Sequence, residues 1–358
     1  MESQRRVMLA SSAGASVDET AALPFPARPA APRPRPCPRP AQDDRAARDQ
    51  WVVVLAGGNG RRIRSFTTTA DGRSVPKQFC RFRDERTLLA ATLDRAMHVT
   101  SSARVLVVVQ EAHRPWWEAE LGRVPAANVI AQTDDRGTAI AILQALVEIH
   151  TRDRSPRLVV MPCDADVDDE TVLLRSIGGA QWTARGFPED VVLLGVVPSH
   201  IDPEYGLIVP SGAGAGRRVR SFVEKPLLTV AQRLMRAGAM WNSFIFACNG
   251  WALYDLFTDA LPDMTNDYLR RICGSDGGAG ARARVVAAMP SQDFGHDVLQ
   301  RGTHHLRLVP VPTCGWTGLG TPGRLAAWLD RHRDAMFWRE HRLKRLGNDG
   351  AGGAARPA

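Results

Sequence analysis

The sequence predicts an α/β domain in which helices cover both faces of a mainly parallel sheet. Three observations carry that expectation. Apolar residues run almost unbroken through five short segments, as they do in strands buried on both faces. Stretches with helical spacing separate the first four of these segments, the pattern of strands joined by crossover helices. Hydrophobic residues make up 44% of the 358, enough for one large domain or two small ones with a real core.

In chain order, residues 51–56 (WVVVLA) form the first expected strand and 87–99 the first helix. A second strand at 104–109 precedes a helix at 113–121, and a third strand at 128–132 precedes a helix at 138–150. Two more buried strands follow at 157–161 and 190–197. Ligands of such sheets bind beyond the carboxyl ends of the strands. The glycines and arginines directly after residue 56 therefore stand where a site is expected.

Composition limits the partners. The formal charge is +8, but residues 1–49 and the stretch from Arg331 onward carry six of those charges. The excess belongs to the ends, so nucleic acid is not expected as a partner. Residues 1–49 are rich in Pro, Ala and Arg without apolar periodicity and read as a disordered tail. Residues 347–358 read as a second tail, leaving 50–346 as the domain. No run of 18 apolar residues occurs and the first twenty residues lack a signal-peptide pattern, so a cytoplasmic protein without a membrane span is expected. The six cysteines are widely spaced with no C-x-x-C pair, which argues against a disulfide framework or a structural zinc site.

The segment LAGGNGRRI, followed by PKQF, concentrates the chemistry. A dinucleotide fingerprint starting at Gly58 and Gly60 would place its third glycine at Ile63, and no lysine follows Gly60 as a Walker loop requires. A bare glycine-rich turn would account for the glycines but not for the cations beside them. Gly57, Gly58 and Gly60 let backbone N–H groups approach an anion, and Arg62 adds a forked cation suited to phosphate oxygens. Lysine usage points the same way. Lysine occurs only at Lys77, Lys225 and Lys344 beside 43 arginines. Two of the three sit in P-K-Q and E-K-P, where a compact ammonium reaches into a pocket that a guanidinium does not fit.

These residues resemble the signature of the sugar-1-phosphate nucleotidyltransferases, L-A-G-G-x-G-x-R-L followed by P-K. The likeness continues collinearly over about residues 50 to 330, and within the family it points to the mannose-1-phosphate guanylyltransferases. DDRGTAIAI is similar to their R-N-T-A-P-A-I, MPCDADV to P-A-D-H-x-I and YGLI to Y-G-Y-I. FVEKP is similar to F-x-E-K-P, WNSFIF to W-N-S-G-M-F, SQDF to S-I-D-Y and WTGLG to W-x-D-V-G. The resemblance implies a Rossmann-like, GT-A-like three-layer α/β/α domain with a mainly parallel mixed sheet. It also implies transfer of a nucleotide from an NTP to a sugar 1-phosphate with release of pyrophosphate, GTP and mannose 1-phosphate being the expected pair.

Residue by residue, the resemblance assigns Leu55, Ala56, Gly57, Gly58, Gly60, Arg136 and Thr138 to the nucleotide. Tyr205, Gly206, Glu224, Lys225 and Asn242 go to the sugar phosphate. Arg62, Lys77 and Lys225 are the cations expected to bring two anions together, since such transfers rest on positioning and electrostatics rather than on a protein nucleophile. Asp164 is the expected Mg²⁺ ligand, with Asp166 and Asp168 nearby. The family's second metal-holding carboxylate is Gly318 here, so Asp166 or Asp293 would have to compensate, or the site would need more Mg²⁺. Other departures are Ala165 for His, Gly137 for Asn, Ile140 for Pro, Glu204 for Gly and Phe244 for Gly. They keep open the alternative of a catalytically weak or regulatory relative that binds nucleotide sugar. His304 and His305 are expected on opposite faces of an early strand and are not assigned as metal ligands. The chain ends soon after the matched region, so one activity is expected, and oligomeric state is not legible.

Overall fold

Strand β1 (Trp51–Leu55) forms at the first apolar run, and its alternate side chains serve two separate cores. Trp51 and Val53 face one core, Val52 and Val54 the other, and all four are buried. Burial on both faces is why the run shows no alternation. The structure, a computed structural model, describes residues 50–68, 72–275 and 278–332. The tails expected at 1–49 and 347–358 lie outside the described residues.

After β1 come helix α1 (Leu88–Val99), β2 (Val105–Gln110), the one-turn α2 (Arg114–Trp117), β3 (Val129–Gln132), α3 (Gly137–His150) and β4 (Arg157–Pro162). A two-residue strand β5 (Ala165–Asp166), α4 (Glu170–Gly186), β6 (Val191–Val196), β7 (Leu207–Pro210), β8 (Arg217–Val223) and α5 (Leu228–Arg236) follow. The remainder is β9 (Met240–Asn249), α6 (Gly250–Ala260), α7 (Pro262–Cys273), α8 (Ala279–Ala288), β10 (Leu306–Val311), β11 (Thr317–Gly318) and α9 (Pro322–Arg331). Helix starts follow local chemistry: Thr87, Asp169, Asn249 and Thr321 each accept a hydrogen bond from a first-turn N–H of α1, α4, α6 and α9.

Nine strands form one sheet in the order β3-β2-β1-β4-β9-β6-β10-β8-β7. β1, β2, β3 and β4 run parallel, as do β6 and β10, whereas β9 runs against β4 and β6, and β8 against β10 and β7. The sheet is thus mixed but mainly of one direction, as expected. The reversal of β9 matters for function. It places Trp241 opposite Val196 and Asn242 opposite Gly195, so β9 begins where the parallel strands end.

Helices α3, α6, α7 and α8 pack on one face of the sheet, and α1, α4 and α5 on the other. A third cluster of Leu325, Trp328 and Leu329 with Ile63, Phe82, Leu88 and Leu319 folds α9 back over the segment that follows the glycines. Of the described cysteines, Cys163, Cys248 and Cys314 are buried.

Two expectations fail locally. The helix expected at 113–121 is a single α-turn between two 3-10 turns, because the Trp117 indole donates to the Gln110 carbonyl at 2.8 Å and draws the chain back to the end of β2. His304 and His305 do not alternate. They lie in a 3-10 turn before β10, their ring centroids stand 4.2 Å apart, and both reach the Asp259 carboxylate. With Asp259 they form a group able to hold a metal ion, at the amino end of β10 and away from the cleft described next.

Candidate active site

Leu55 at the end of β1 pairs with Val108 of β2 and Pro162 of β4, so three parallel strands release the chain at one edge. A cleft of about 720 Å³ opens there, in the size range of small-molecule sites. The glycine turn forms one wall. Gly60 has φ +58, and a Cβ there would lie 3.3 Å from the backbone N of Lys77, so only a residue without a side chain sits there unstrained. Gln78 fixes the turn from below: its Nε2 donates to the carbonyls of Ala56 at 2.9 Å and Gly58 at 2.8 Å.

Lys77 is buried, and its Nζ meets Asp164 Oδ2 at 2.7 Å. Asp164 arrives from the neighbouring strand, two residues past β4. Withdrawal from water would raise the Asp164 carboxyl, but Lys77, with Arg324 and Arg62, holds it below the usual carboxylate range. Arg62 Nη1 meets Glu204 Oε2 at 2.5 Å across the mouth of the cleft, with both side chains about half exposed.

The opposite wall comes from β7, β8 and β9. Gly206 leaves room for Glu224, whose Oε2 would lie 2.6 Å from any Cβ placed there. Burial pushes the Glu224 carboxyl up while Lys225, at 2.8 Å, opposes the shift. The Asn242 backbone N–H donates to the Gly206 carbonyl at 2.8 Å, and its Oδ1 accepts from the Phe244 N–H at 3.0 Å. Lys225 and Phe244 are the two non-glycine residues with positive φ among those described, at 42° and 61°. Both line the cleft, where backbone strain is most often retained for function. The Tyr205 hydroxyl, pushed up to about 12 by burial, accepts the Gly318 N–H at 3.0 Å.

The cleft therefore brings together Leu55, Gly57, Gly58, Gly60, Arg62, Lys77, Thr138 and Asp164 on one side with Tyr205, Gly206, Glu224, Lys225 and Asn242 on the other. Ala56 and Arg136 do not line it: Ala56 is buried beneath the turn, and Arg136 stands 3.8 Å from Asp134. Sequence reasoning missed Gln78, which carries no charge, and Gln110 and Gln132 at the ends of β2 and β3. It also missed Arg324, one arginine among 43, whose only cue is the fold-back of α9.

The carboxylates expected around a metal separate: Asp164 and Asp293 line the cleft, and Asp166 and Asp168 do not. Asp166 and Asp168 turn away from the cleft to Arg83, and Asp166 also accepts from the Trp328 indole. Asp293 lines the cleft but caps the turn at His296 and stands near Glu224. Gly318 offers no carboxylate, and Asp164 is surrounded by cations. Acidic groups able to hold a divalent ion exist among the described residues, in the Asp166–Asp168–His332 and Asp259–His304–His305 groups. Those facing Asp164 do not fit an ion gripped between two protein carboxylates.

The sequence profile described as nucleotidyl transferase matches residues 51–330. The xanthan biosynthesis protein XanB of Xanthomonas campestris pv. campestris (strain B100) is 34% identical over 204 residues, 55% of this chain and 42% of that protein. The mannose-1-phosphate guanylyltransferase of Salmonella muenchen is 27% identical over 290 residues, 75% of this chain and 57% of that protein. The chain thus spans about half the length of the curated relatives it matches. A crystal structure described as mannose-1-phosphate geranyltransferase from Thermus thermophilus superposes with a TM-score of 0.67 at 27% identity, covering 76% of each chain.

Proposed function

This chain belongs to the nucleotidyl transferase family, and we propose that it joins GTP to mannose 1-phosphate, giving GDP-mannose and pyrophosphate. One observation carries the reading: a single cleft sets a cationic glycine turn opposite a wall that carries Tyr205, Glu224, Lys225 and Asn242. The names of its relatives favour guanosine and mannose within that chemistry.

In this reading the glycine turn and Arg62 hold the triphosphate, and Lys77 stabilises charge on the phosphoryl group under attack. Lys225 neutralises the sugar 1-phosphate, while Glu224 and Asn242 orient sugar hydroxyls. A phosphate oxygen of the sugar phosphate attacks the α-phosphorus. The bond from that phosphorus to the bridging oxygen of the β-phosphate breaks in line, and pyrophosphate leaves with the electron pair. We assign no step to Mg²⁺; Asp164, the carboxylate beside the glycine turn, is held by Lys77. Among the described residues no helix is long and apolar enough to cross a membrane, and we place the reaction in the cytoplasm.

Pyrophosphate release by the purified chain, measured for four NTPs against a panel of sugar 1-phosphates, tests the reading. GTP with mannose 1-phosphate should give the highest kcat/KM. Release from another pair alone would reassign the substrates. Release from none would favour a relative that binds nucleotide sugar without making it, a reading supported by the carboxylates already paired with Arg62 and Lys77.

A further inference from the structure

Three cationic groups converge on one point of the cleft. The position that a Cβ on Gly320 would occupy lies 3.6 Å from Arg62 Nη2, 3.6 Å from Lys77 Nζ and 3.8 Å from Arg324 Nη1. The three come from distant parts of the chain: the turn after β1, the P-K-Q segment and the first turn of α9. Arg324 is the most firmly held. Its Nε and Nη2 bond the two oxygens of Asp202 at 2.6 and 3.2 Å, and its Cζ lies 3.3 Å from the centre of the Tyr205 ring. Its side chain is only 8% exposed. Asp202 and Tyr205 together leave Nη1 directed at Gly320.

We infer that this point is a phosphate subsite built from protein cations, and that Arg324 lets the cleft bind a polyphosphate without a divalent ion. The inference rests on the nucleotide reading above and adds to it. A divalent ion usually neutralises polyphosphate charge by bridging its oxygens to carboxylates. Around Asp164 the arrangement is different, with cations where a second carboxylate would be needed and a glycine at 318. Each cation is engaged by a carboxylate, Arg62 by Glu204, Lys77 by Asp164 and Arg324 by Asp202, so an arriving phosphate must compete. The pairs differ in how readily they yield. Arg62 and Glu204 are about half exposed, and such pairs contribute little, so Glu204 gives way to phosphate at small cost. Arg324 need not release Asp202, because its third nitrogen already faces the point. A guanidinium fixed beforehand by an ion pair and an aromatic face loses little freedom on binding.

Calorimetric binding of GTP and of inorganic tripolyphosphate to the full chain, in EDTA and in Mg²⁺, tests the inference. Wild-type affinity in EDTA should stay within about threefold of that in Mg²⁺, since protein charge-assisted contacts do the neutralising. Gly320→Ala fills the point with a methyl group at ordinary contact distances, so it should leave the melting temperature unchanged. It should weaken binding in EDTA by roughly tenfold to a hundredfold, the scale of one lost contact to a charged group. The paired substitution Asp202→Asn with Arg324→Gln removes both charges together, so neither is left buried alone, and it should weaken binding similarly. Wild-type binding seen in Mg²⁺ and abolished in EDTA would overturn the inference while leaving the nucleotide reading intact. Unchanged affinity in both variants would overturn it too. Absence of binding under every condition would overturn both, and so identifies failure of the nucleotide reading itself.

Discussion

Lys77 is one of three lysines beside 43 arginines, and it is buried with its ammonium against Asp164. A guanidinium is longer and planar, and it cannot reproduce the point contact that the ammonium makes with Asp164. Lys77→Arg should therefore lower kcat roughly 100-fold despite keeping the charge, the scale of one lost electrostatic contact in a reaction site. Steady-state rates within twofold of wild type would remove the role given to Lys77. The same ion pair predicts an acid response. The Asp164 carboxyl lies below its ordinary value of 3.8, so its contribution to stability is complete above that value and is lost as the pH falls through the lowered one. Melting temperature should drop less steeply with acid in Asp164→Asn than in wild type. Phe244 occupies a left-handed conformation natural to glycine. Phe244→Gly relieves strain of about 1–3 kcal/mol but loses contact with the Phe294 ring, 5.8 Å away, and adds chain freedom. Stability should change by no more than about 1 kcal/mol on that balance, while bulkier sugar phosphates become better substrates; an unchanged sugar preference would detach Phe244 from the pocket. Rarity made Lys77 and Lys225 legible in the sequence. Arg324 was hidden because in this chain an arginine carries no information by itself.

Among the elements, those that repeat strand and helix through β4 were legible because burial on both faces leaves unbroken apolar runs. β9 was recognised only as the motif WNSFIF, since its antiparallel place between β4 and β6 depends on long-range pairing that no local pattern encodes. α9 was equally opaque in its consequence, because only docking on Ile63 and Phe82 brings Arg324 to the cleft. The start of α3 shows how one residue sets a wall of the site. Gly137 has φ +81, and a Cβ there would stand 2.2 Å from the Gln292 carbonyl oxygen. The Ala139 N–H bonds that same oxygen, and Thr138 accepts from the Phe294 N–H, so the turn ties α3 to the segment carrying Asp293. Gly137→Ala should destabilise the protein by about 2–4 kcal/mol through strain and collision together. A urea unfolding midpoint equal to wild type would show that the turn is not constrained as described.

At the scale of the molecule, the charge of +8 resides mainly at the ends of the chain, while each of the three cations near Gly320 has a carboxylate partner. Removing residues 1–49 should accordingly leave turnover within about twofold, since every side chain that lines the cleft belongs to residues 55–324. The cleft stands where the parallel strands end and the reversed β9 begins, so one edge of one sheet supplies both a phosphate-binding turn and a sugar-facing wall. That union of two anion sites is what the proposed transfer requires. Phosphorus NMR of the purified chain with GTP and mannose 1-phosphate tests it most directly, because it follows every phosphorus through the reaction. The prediction is the joint appearance of pyrophosphate and a sugar-linked diphosphate in equal amounts as both substrates decline, with the signals absent in Lys77→Met. Spectra in which the substrates persist, or in which GTP is cleaved without a sugar-linked product, would contradict the transfer.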